Sequence, residues 1–109
     1  MKDDGTRPLS PQQATELLRR KVNNDLTLLL TDHAQERLDD RGLTTKDVLH
    51  VLKHGFVYEE AEPATRIGLF KYQMEASTPN SGGRTVRIVV IPSSANQMKL
   101  VTVMWADES

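Results

Sequence analysis

The sequence predicts a single α+β domain in which N-terminal helices pack on an antiparallel sheet of about four strands. Three observations support this. Apolar residues recur at helical spacing in the first half of the chain. After Gly55 the apolar repeat changes from about 3.6 residues to about 2, which is typical of strands. The turn-rich segments 78–83 and 93–97 separate the last strands, and such short connections favour antiparallel hairpins.

The size and composition of the chain restrict its class. Its 109 residues have room for one core, and 38% apolar with 27% charged residues is typical of a water-soluble globule. Cysteine is absent, which excludes disulfides and thiolate metal sites and fits a reducing cytoplasm. The first ten residues lack an apolar signal core and no apolar run is long enough to cross a bilayer, so we expect no membrane association. We expect residues 1–9 to be disordered and residues 10–109 to form the domain.

The charge is nearly balanced. A net charge of −1 argues against non-specific coating of nucleic acid, which needs a basic surface. Acidic residues concentrate in 25–64, whereas 65–109 is mildly basic. A local basic patch therefore remains open.

The first helix is predicted over about residues 11–23. Ser10 is a good N-cap, Pro11 suits the first helical position, and Gln13 completes a capping box. The short apolar run from Leu26 to Leu30 follows, and its pattern fits either a strand or the lead-in to the next helix.

A second, heavily charged helix is predicted to begin after Thr31 or Asp32, either of which can cap it. The helix runs to Arg41. Gly42 then supplies a left-handed stop.

The third helix begins with a second capping box, Thr44 and Asp47, and ends at His54 and Gly55. His50 and His54 have metal-ligand spacing, but no third ligand is evident, so we expect no metal and no cofactor. Helices two and three also have the layout of a helix-turn-helix. The acidic Asp47 at the start of the second member disfavours reading of duplex DNA.

Four strands are predicted, over residues 56–61, 66–76, 84–92 and 98–105. On the third strand, one face carries Val86, Ile88 and Val90, and the other carries Arg87, Val89 and Ile91. Both faces therefore hold apolar groups, and we expect the helices to cover one of them while the other is partly wet.

The densest polar cluster is a stripe on the second helix. His33, Arg37 and Arg41 lie four residues apart and share one side of the helix. An imidazole with two guanidiniums suits a phosphodiester, because the imidazole moves a proton while the guanidiniums hold phosphate oxygens. The alternative is a solvated surface in which the arginines pair with the acidic residues of the same helix, namely Asp32, Glu36, Asp39 and Asp40.

Basic residues also accompany the predicted strands: Arg66, Lys71, Arg84, Arg87 and Lys99. Tyr72 lies between them, so the set can form a basic groove with a ring for stacking. Such cations also occur on strands simply for solubility and edge protection.

One combination of residues resembles a bacterial family of small uncharacterised proteins with a His-Ala-x-x-Arg-x-x-x-Arg-Gly-Ile motif, thought to be related to the RelE/ParE toxins of toxin–antitoxin modules. The resemblance covers about residues 29–106. The residues that carry it are Asp32-His33-Ala34-x-x-Arg37-x-x-x-Arg41-Gly42-Leu43, Asp47-Val48, Leu52-x-x-Gly55 and a strand ending Leu100-Val101-Thr102-Val103-Met104-Trp105.

This resemblance implies a RelE-like fold, with a helix pair on a curved antiparallel sheet. It marks His33, Arg37 and Arg41 as motif positions and Thr102 as a residue of the matched last strand. In ribonucleases of the wider superfamily, the RNA 2′-hydroxyl is the nucleophile and no metal is needed. Transfer of that mechanism to this chain is an analogy from fold.

The leading hypothesis is a toxin-like domain that binds or cleaves RNA, free or on the ribosome, without a metal ion. His33 would transfer the proton, and Arg37, Arg41 and Arg87 would hold phosphate. The remaining expected RNA-binding residues are Arg66, Lys71, Tyr72 and Thr102.

The alternative is a non-catalytic module that binds a protein, such as an antitoxin, an immunity protein or a phage-type inhibitor. A toxin would itself have a cognate antitoxin as partner. A purely structural role is also open, with His33 bonded to the sheet backbone, the helix arginines paired with Glu59 or Glu60, and Trp105 in the core.

Overall fold

The computed structural model describes residues 8–108. Residues 1–7 of the terminus predicted to be disordered therefore lie outside the described residues. The helices are α1 (Pro11–Lys21), α2 (Asp32–Arg41) and α3 (Thr45–His54). The strands are β1 (Thr27–Leu30), β2 (Phe56–Val57), β3 (Glu62–Pro63), β4 (Phe70–Ser77), β5 (Thr85–Ser94) and β6 (Gln97–Trp105). The predicted α+β class is confirmed.

Helix α1 begins with the predicted capping box. The Ser10 hydroxyl accepts from the Gln13 N–H at 3.2 Å, and the Gln13 side chain accepts from the Ser10 N–H at 3.0 Å. The helix ends at Lys21, two residues earlier than predicted. Lys21 is buried and its ammonium donates to the Ser94 carbonyl at 2.8 Å and the Ala95 carbonyl at 3.2 Å. The end of α1 is thereby tied to the turn between β5 and β6.

Helix α2 is capped by Thr31, whose hydroxyl accepts from the Ala34 N–H at 2.9 Å. It ends at Gly42, where φ is +67°, a conformation that a residue with a Cβ rarely adopts. Both ends of α2 therefore lie where the sequence predicts them.

Helix α3 begins at Thr45 on a buried carboxylate, Asp47, which is 4% exposed. Asp47 accepts from the Thr44 N–H at 2.8 Å, the Thr78 hydroxyl at 2.6 Å and the Asn80 amide at 3.2 Å. Burial by itself raises the pKa of Asp47, but these hydrogen bonds outweigh burial and lower the pKa below its ordinary value. The capping residue thus also ties α3 to the loop between β4 and β5.

The sheet differs from the expected one in number and direction of strands. It has six strands rather than about four, in the order β1-β6-β5-β4-β2, with β3 paired to β4. The apolar run that the sequence left undecided is β1, and it lies parallel to β6, so the sheet is mixed rather than antiparallel. This pairing joins segments about 70 residues apart, which no local pattern reveals.

Two of the predicted strands are shorter than expected. The strand predicted over residues 56–61 is only the two residues of β2, and the one predicted over residues 66–76 begins at Phe70. Between β3 and β4 the chain turns, since the Leu69 N–H donates to the Arg66 carbonyl at 3.2 Å and Gly68 has a φ of +89°. Residues 66–69, which the alternating pattern assigned to the strand, therefore belong to this turn.

The helices cover the sheet face that carries Val86, Ile88 and Val90, all of which have no exposed surface. We call this the covered face, and the opposite side of β1, β4, β5 and β6 the open face. In β6 a bulge at Val101 shifts the alternation, so that both Leu100 and Val103 point into the core. The division of β5 into two apolar faces, with helices on one, is confirmed.

Candidate nucleic-acid interface

The start of α2 is fastened to β6 at the place where β1 ends. The Thr31 N–H donates to the Leu100 carbonyl at 3.3 Å, and its hydroxyl donates to the Val101 carbonyl at 3.1 Å. Two residues later, His33 Nε2 lies 3.0 Å from Thr102 Oγ1. His33 thus bonds to a side chain of the sheet, not to its backbone. The imidazole is exposed, and its ring position is set by the hydroxyl of Thr102.

Arg41, at the other end of the stripe, has a structural role. Its Nε donates to Glu108 Oε1 at 2.9 Å, and its Nη2 donates to Glu108 Oε2. The Arg41 side chain is only 14% exposed. Glu108 also accepts from the Trp105 N–H at 2.6 Å. Two of the three guanidinium nitrogens, Nε and Nη2, are therefore bonded to Glu108, which is the carboxylate partner rather than Glu59 or Glu60. The catalytic role predicted for Arg41 stays a prediction.

This ion pair shifts the pKa values of both of its groups. The hydrogen bond from Arg41, helped by the Trp105 N–H, lowers the pKa of Glu108 from 4.5 to about 2. The same hydrogen bond raises the pKa of Arg41, although burial opposes that shift. The C-terminal segment is thereby clipped to the end of α2 by charge.

Arg37 lies one helical turn from each of these residues and is far less engaged. Its side chain is 42% exposed, and its ion pair within residues 8–108 is a 3.8 Å contact with Asp40 on the same helix. Exposed pairs of this kind contribute little and exchange easily. Of the two arginines in the stripe, Arg37 is the one whose guanidinium is available to an anion.

The open face holds a cavity of 630 Å³ between the sheet and the turn before β4. Its apolar floor includes Leu29, Ile91 and Val101. Its cations are Arg66, Lys71 and Lys99. In the part of the chain that the structure describes, no acidic side chain lines it, although Glu62 approaches Lys71 from outside at 3.9 Å. The cavity therefore combines an apolar floor with a rim of three cations, of which Lys71 has a carboxylate nearby.

The cavity and the histidine adjoin one another along β6. Thr31 and Val101 line the cavity, and the neighbouring residues are Asp32 with His33 on one side and Thr102 on the other. His33 and Thr102 are in contact with each other, and their chain neighbours Thr31 and Val101 line the cavity that Lys71 and Arg66 also line. The apolar floor was not predicted as a site, because it needs Leu29 of β1, and the pairing of β1 with β6 has no local signal.

Two other basic residues of the predicted groove are already paired. Arg87 is on the open face but donates to Glu75 across the strands at 2.7 Å. The Arg84 guanidinium carbon lies 4.1 Å from the centre of the Trp105 ring, and Arg84 also pairs with Asp107. Trp105 itself is partly buried at the rim of the core rather than inside it.

Tyr72 is not a surface ring. It is 1% exposed on the covered face, and its hydroxyl accepts from the Leu9 N–H at 3.0 Å. Burial raises the pKa of Tyr72 above its ordinary value. The expectation that Tyr72 stacks on a base is wrong. Because side chains alternate along a strand, Tyr72 points to the covered face while Lys71 points to the open face.

Metal-ligating side chains do not cluster in residues 8–108, where no three His, Asp or Glu groups converge. His50 and His54 adjoin each other on α3, with ring centroids 4.6 Å apart. Within the same residues, no helix has the length and apolar character needed to cross a membrane.

Comparison with known proteins finds a family for most of the chain. The model of the family described as "Domain of unknown function (DUF4258)" matches residues 30–105. That range runs from the last residue of β1 to the last residue of β6, and leaves α1 outside. No curated protein and no solved structure matches the chain.

Proposed function

Because the chain belongs to the DUF4258 family, whose function is unknown, we propose from its own geometry that it binds single-stranded RNA on the open face and cleaves it without a metal ion. The observation that carries the proposal is the acid-free, cation-rimmed cavity beside the His33–Thr102 pair. A cytoplasmic location, on RNA or on the ribosome, belongs to the same proposal.

Each part of the site suits one part of an RNA strand. The apolar floor can take an unstacked base, and the ammonium groups of Lys71 and Lys99 can hold phosphates on either side of it. A duplex would not enter such a cavity, since its bases are stacked and paired. This favours a single strand.

The chemistry assigned to His33 is a proton transfer. The imidazole takes the proton of the ribose 2′-hydroxyl as that oxygen bonds to phosphorus, and the bond from phosphorus to the 5′-oxygen breaks. The proton then passes to the leaving oxygen, so the products are a 2′,3′-cyclic phosphate and a 5′-hydroxyl. Thr102 orients the imidazole, and Arg37 stabilises the charge on the phosphate oxygens. The resemblance to RelE/ParE toxins supports this, because their ribonuclease members also use the 2′-hydroxyl and no metal.

The test is a cleavage assay in EDTA with end-labelled single-stranded RNA. We expect cleavage to yield the cyclic phosphate, and His33→Ala to slow it by about 100-fold or more with RNA affinity retained. His54→Ala is the matched control, since His54 is an exposed histidine on α3, remote in sequence from the stripe. Arg37→Ala should weaken both binding and rate.

Two results would overturn the proposal. One is equal cleavage by wild type and His33→Ala. The other is RNA that is neither bound nor cut while circular dichroism reports a folded chain. Induced expression provides the cellular counterpart, because growth arrest with RNA fragmentation should depend on His33.

A protein partner is the second candidate, favoured by the outer surface of α2. That surface exposes four carboxylates, those of Asp32, Glu36, Asp39 and Asp40. A stoichiometric complex with a basic partner that is lost in Glu36→Lys, together with absent RNA cleavage, would favour this function. An antitoxin, an immunity partner or an inhibitor target would each fit it.

A further inference from the structure

Strand β1 is an unprotected edge. It is the last strand in the order β1-β6-β5-β4-β2, and in residues 8–108 no strand pairs with its outer side. Its four residues, Thr27–Leu30, contain no charge and no proline, and Leu29 is 44% exposed. Edge strands of soluble proteins are usually guarded by charges, prolines or bulges, because an open edge pairs with other chains. β1 has none of these three guards, although it is short, so its edge is open to pairing with another chain.

The outer side of β1 offers backbone hydrogen-bonding groups. The Thr27 N–H donates to the Asn96 carbonyl at 2.7 Å, and the Thr31 N–H donates to the Leu100 carbonyl at 3.3 Å. These residues direct their backbone groups towards β6. Because backbone groups alternate in direction along a strand, Leu28 and Leu30 direct theirs outward. An extended peptide can pair with both.

An apolar cleft lies on each side of this edge. On the open face it is the cavity of 630 Å³ that Leu29 lines. On the helix side a second cavity of 460 Å³ is formed with α3 and the end of α1, and its apolar lining residues are Val22, Leu26, Leu28 and Leu49. An added strand would direct alternate side chains to the two sides of the sheet, where each cleft can receive them.

The charges at the two clefts select the partner. Lys53 lines the helix-side cleft and Lys99 lines the open-face cavity. Among the described residues no acidic side chain lines either cleft, while the exposed Asp25 and Asp32 flank the strand. A segment with acidic residues next to apolar ones complements this edge. A second copy of the chain complements it less well, since pairing β1 with another β1 would bring the same lysines to the same edge.

We propose that β1 binds an extended acidic and apolar segment of a partner protein as an additional strand of the sheet. The proposal does not rest on the RNA-cleaving role of His33, although the open-face cavity with Lys99 is shared with the proposed RNA site. It can be tested whether or not the chain is a nuclease.

The first experiment uses fluorescein-labelled hexapeptides and the full chain. The probe has four alternating valine and isoleucine residues with a glutamate at each end. We expect saturable binding with a Kd below about 1 mM. Methylating alternate backbone nitrogens of the probe should weaken binding about tenfold, because it removes strand hydrogen bonds and leaves the side chains unchanged. Replacing both glutamates with lysine should weaken it as well.

The second experiment places the peptide on the protein. Hydrogen exchange should slow at the amides of Leu28 and Leu30 when the probe is added. Lys53→Glu should weaken binding at least about threefold, whereas Lys46→Glu, an exposed residue of α3 outside the cleft, should not.

Three outcomes would overturn the proposal. The first is no saturable binding up to about 1 mM by a folded chain. The second is equal affinity for the methylated probe, which would mean that no strand forms. The third is a dimer of this chain that Leu29→Glu dissociates, which would make the occupant of the edge a second copy.

Discussion

The covered and the open face of the sheet both have apolar centres, yet different groups surround those centres. On β5, Val90 points to the helices and has no exposed surface, whereas Val89 points to the open side and is 9% exposed. Around Val90 the neighbours are apolar residues of the helices and strands. Around the apolar groups of the open face stand Arg66, Lys71 and Lys99, with solvent beyond them.

Because of this difference, residues of one strand that point to the covered face serve stability, and those that point to the open face serve binding. The covered face excludes water and tolerates no charge, so its residues determine whether the chain folds. The open face keeps its apolar floor small and its ammonium groups hydrated, so its residues can change without loss of the fold. Adjacent residues of one strand therefore have different roles, and exchanging side chains between faces tests this.

The largest effect is expected from a lysine placed on each face in turn. Val90→Lys buries an ammonium without a partner, at a cost of several kcal/mol, comparable with the whole stability of a small domain at about 5–15 kcal/mol. Val89→Lys can extend to solvent and should cost about 1–2 kcal/mol. Urea unfolding should show no cooperative transition for the first and a normal one for the second. Equal destabilisation would mean that the two faces do not differ.

A smaller effect is expected at the neighbours Tyr72 and Lys71. Tyr72→Ala leaves a cavity beside α1 and removes the acceptor of the Leu9 N–H, which should cost about 3–5 kcal/mol. Lys71→Ala should change unfolding by less than about 0.5 kcal/mol. RNA binding should respond in the opposite way, with Lys71→Ala weakening it. Filter binding on the folded variants measures this.

The sequence could predict what local rules decide. The caps of α1, α2 and α3 rest on side chains within three residues of the helix start, and all three helices were predicted. The two faces of β5 follow from simple alternation. His33 was found from helical spacing, and Thr102 from the resemblance rather than from any local rule, and the two side chains are in contact.

What depends on distant pairing could not be predicted. Glu108 meets Arg41 across 67 residues, and β1 meets β6 across a similar span, so neither partner leaves a pattern near the other. Tyr72 was assigned to the basic groove because it is next to Lys71 in the sequence, without asking which face of the strand each residue occupies. The partner of Arg41 was missed because helical spacing gives the side of a helix but not the residue opposite it.

The ion pair between Arg41 and Glu108 predicts how the stability of the fold changes at acid pH. The pKa of Glu108 is lowered to about 2 in the folded chain from an ordinary 4.5. The carboxylate therefore stabilises the fold fully above pH 4.5, and that contribution is lost as the pH falls towards 2. Glu108→Gln should melt at a lower temperature than wild type at neutral pH, with the gap closing on acidification. Asp107→Asn, which removes only an exposed pair with Arg84, is the control and should show a smaller gap.

The smallest effect is expected at the rim of the open face, where one charge is changed without touching the core. Lys99→Glu should weaken single-stranded RNA binding several-fold at low salt and lower the slope of log affinity against log salt by about 1 or more, since at least one phosphate contact is removed. Lys46→Glu makes the same change on exposed α3, outside the cavity, and should lower affinity only through the net charge. If both variants lose affinity equally, the open face does not bind RNA locally, and the contrast between the two faces reduces to one of stability.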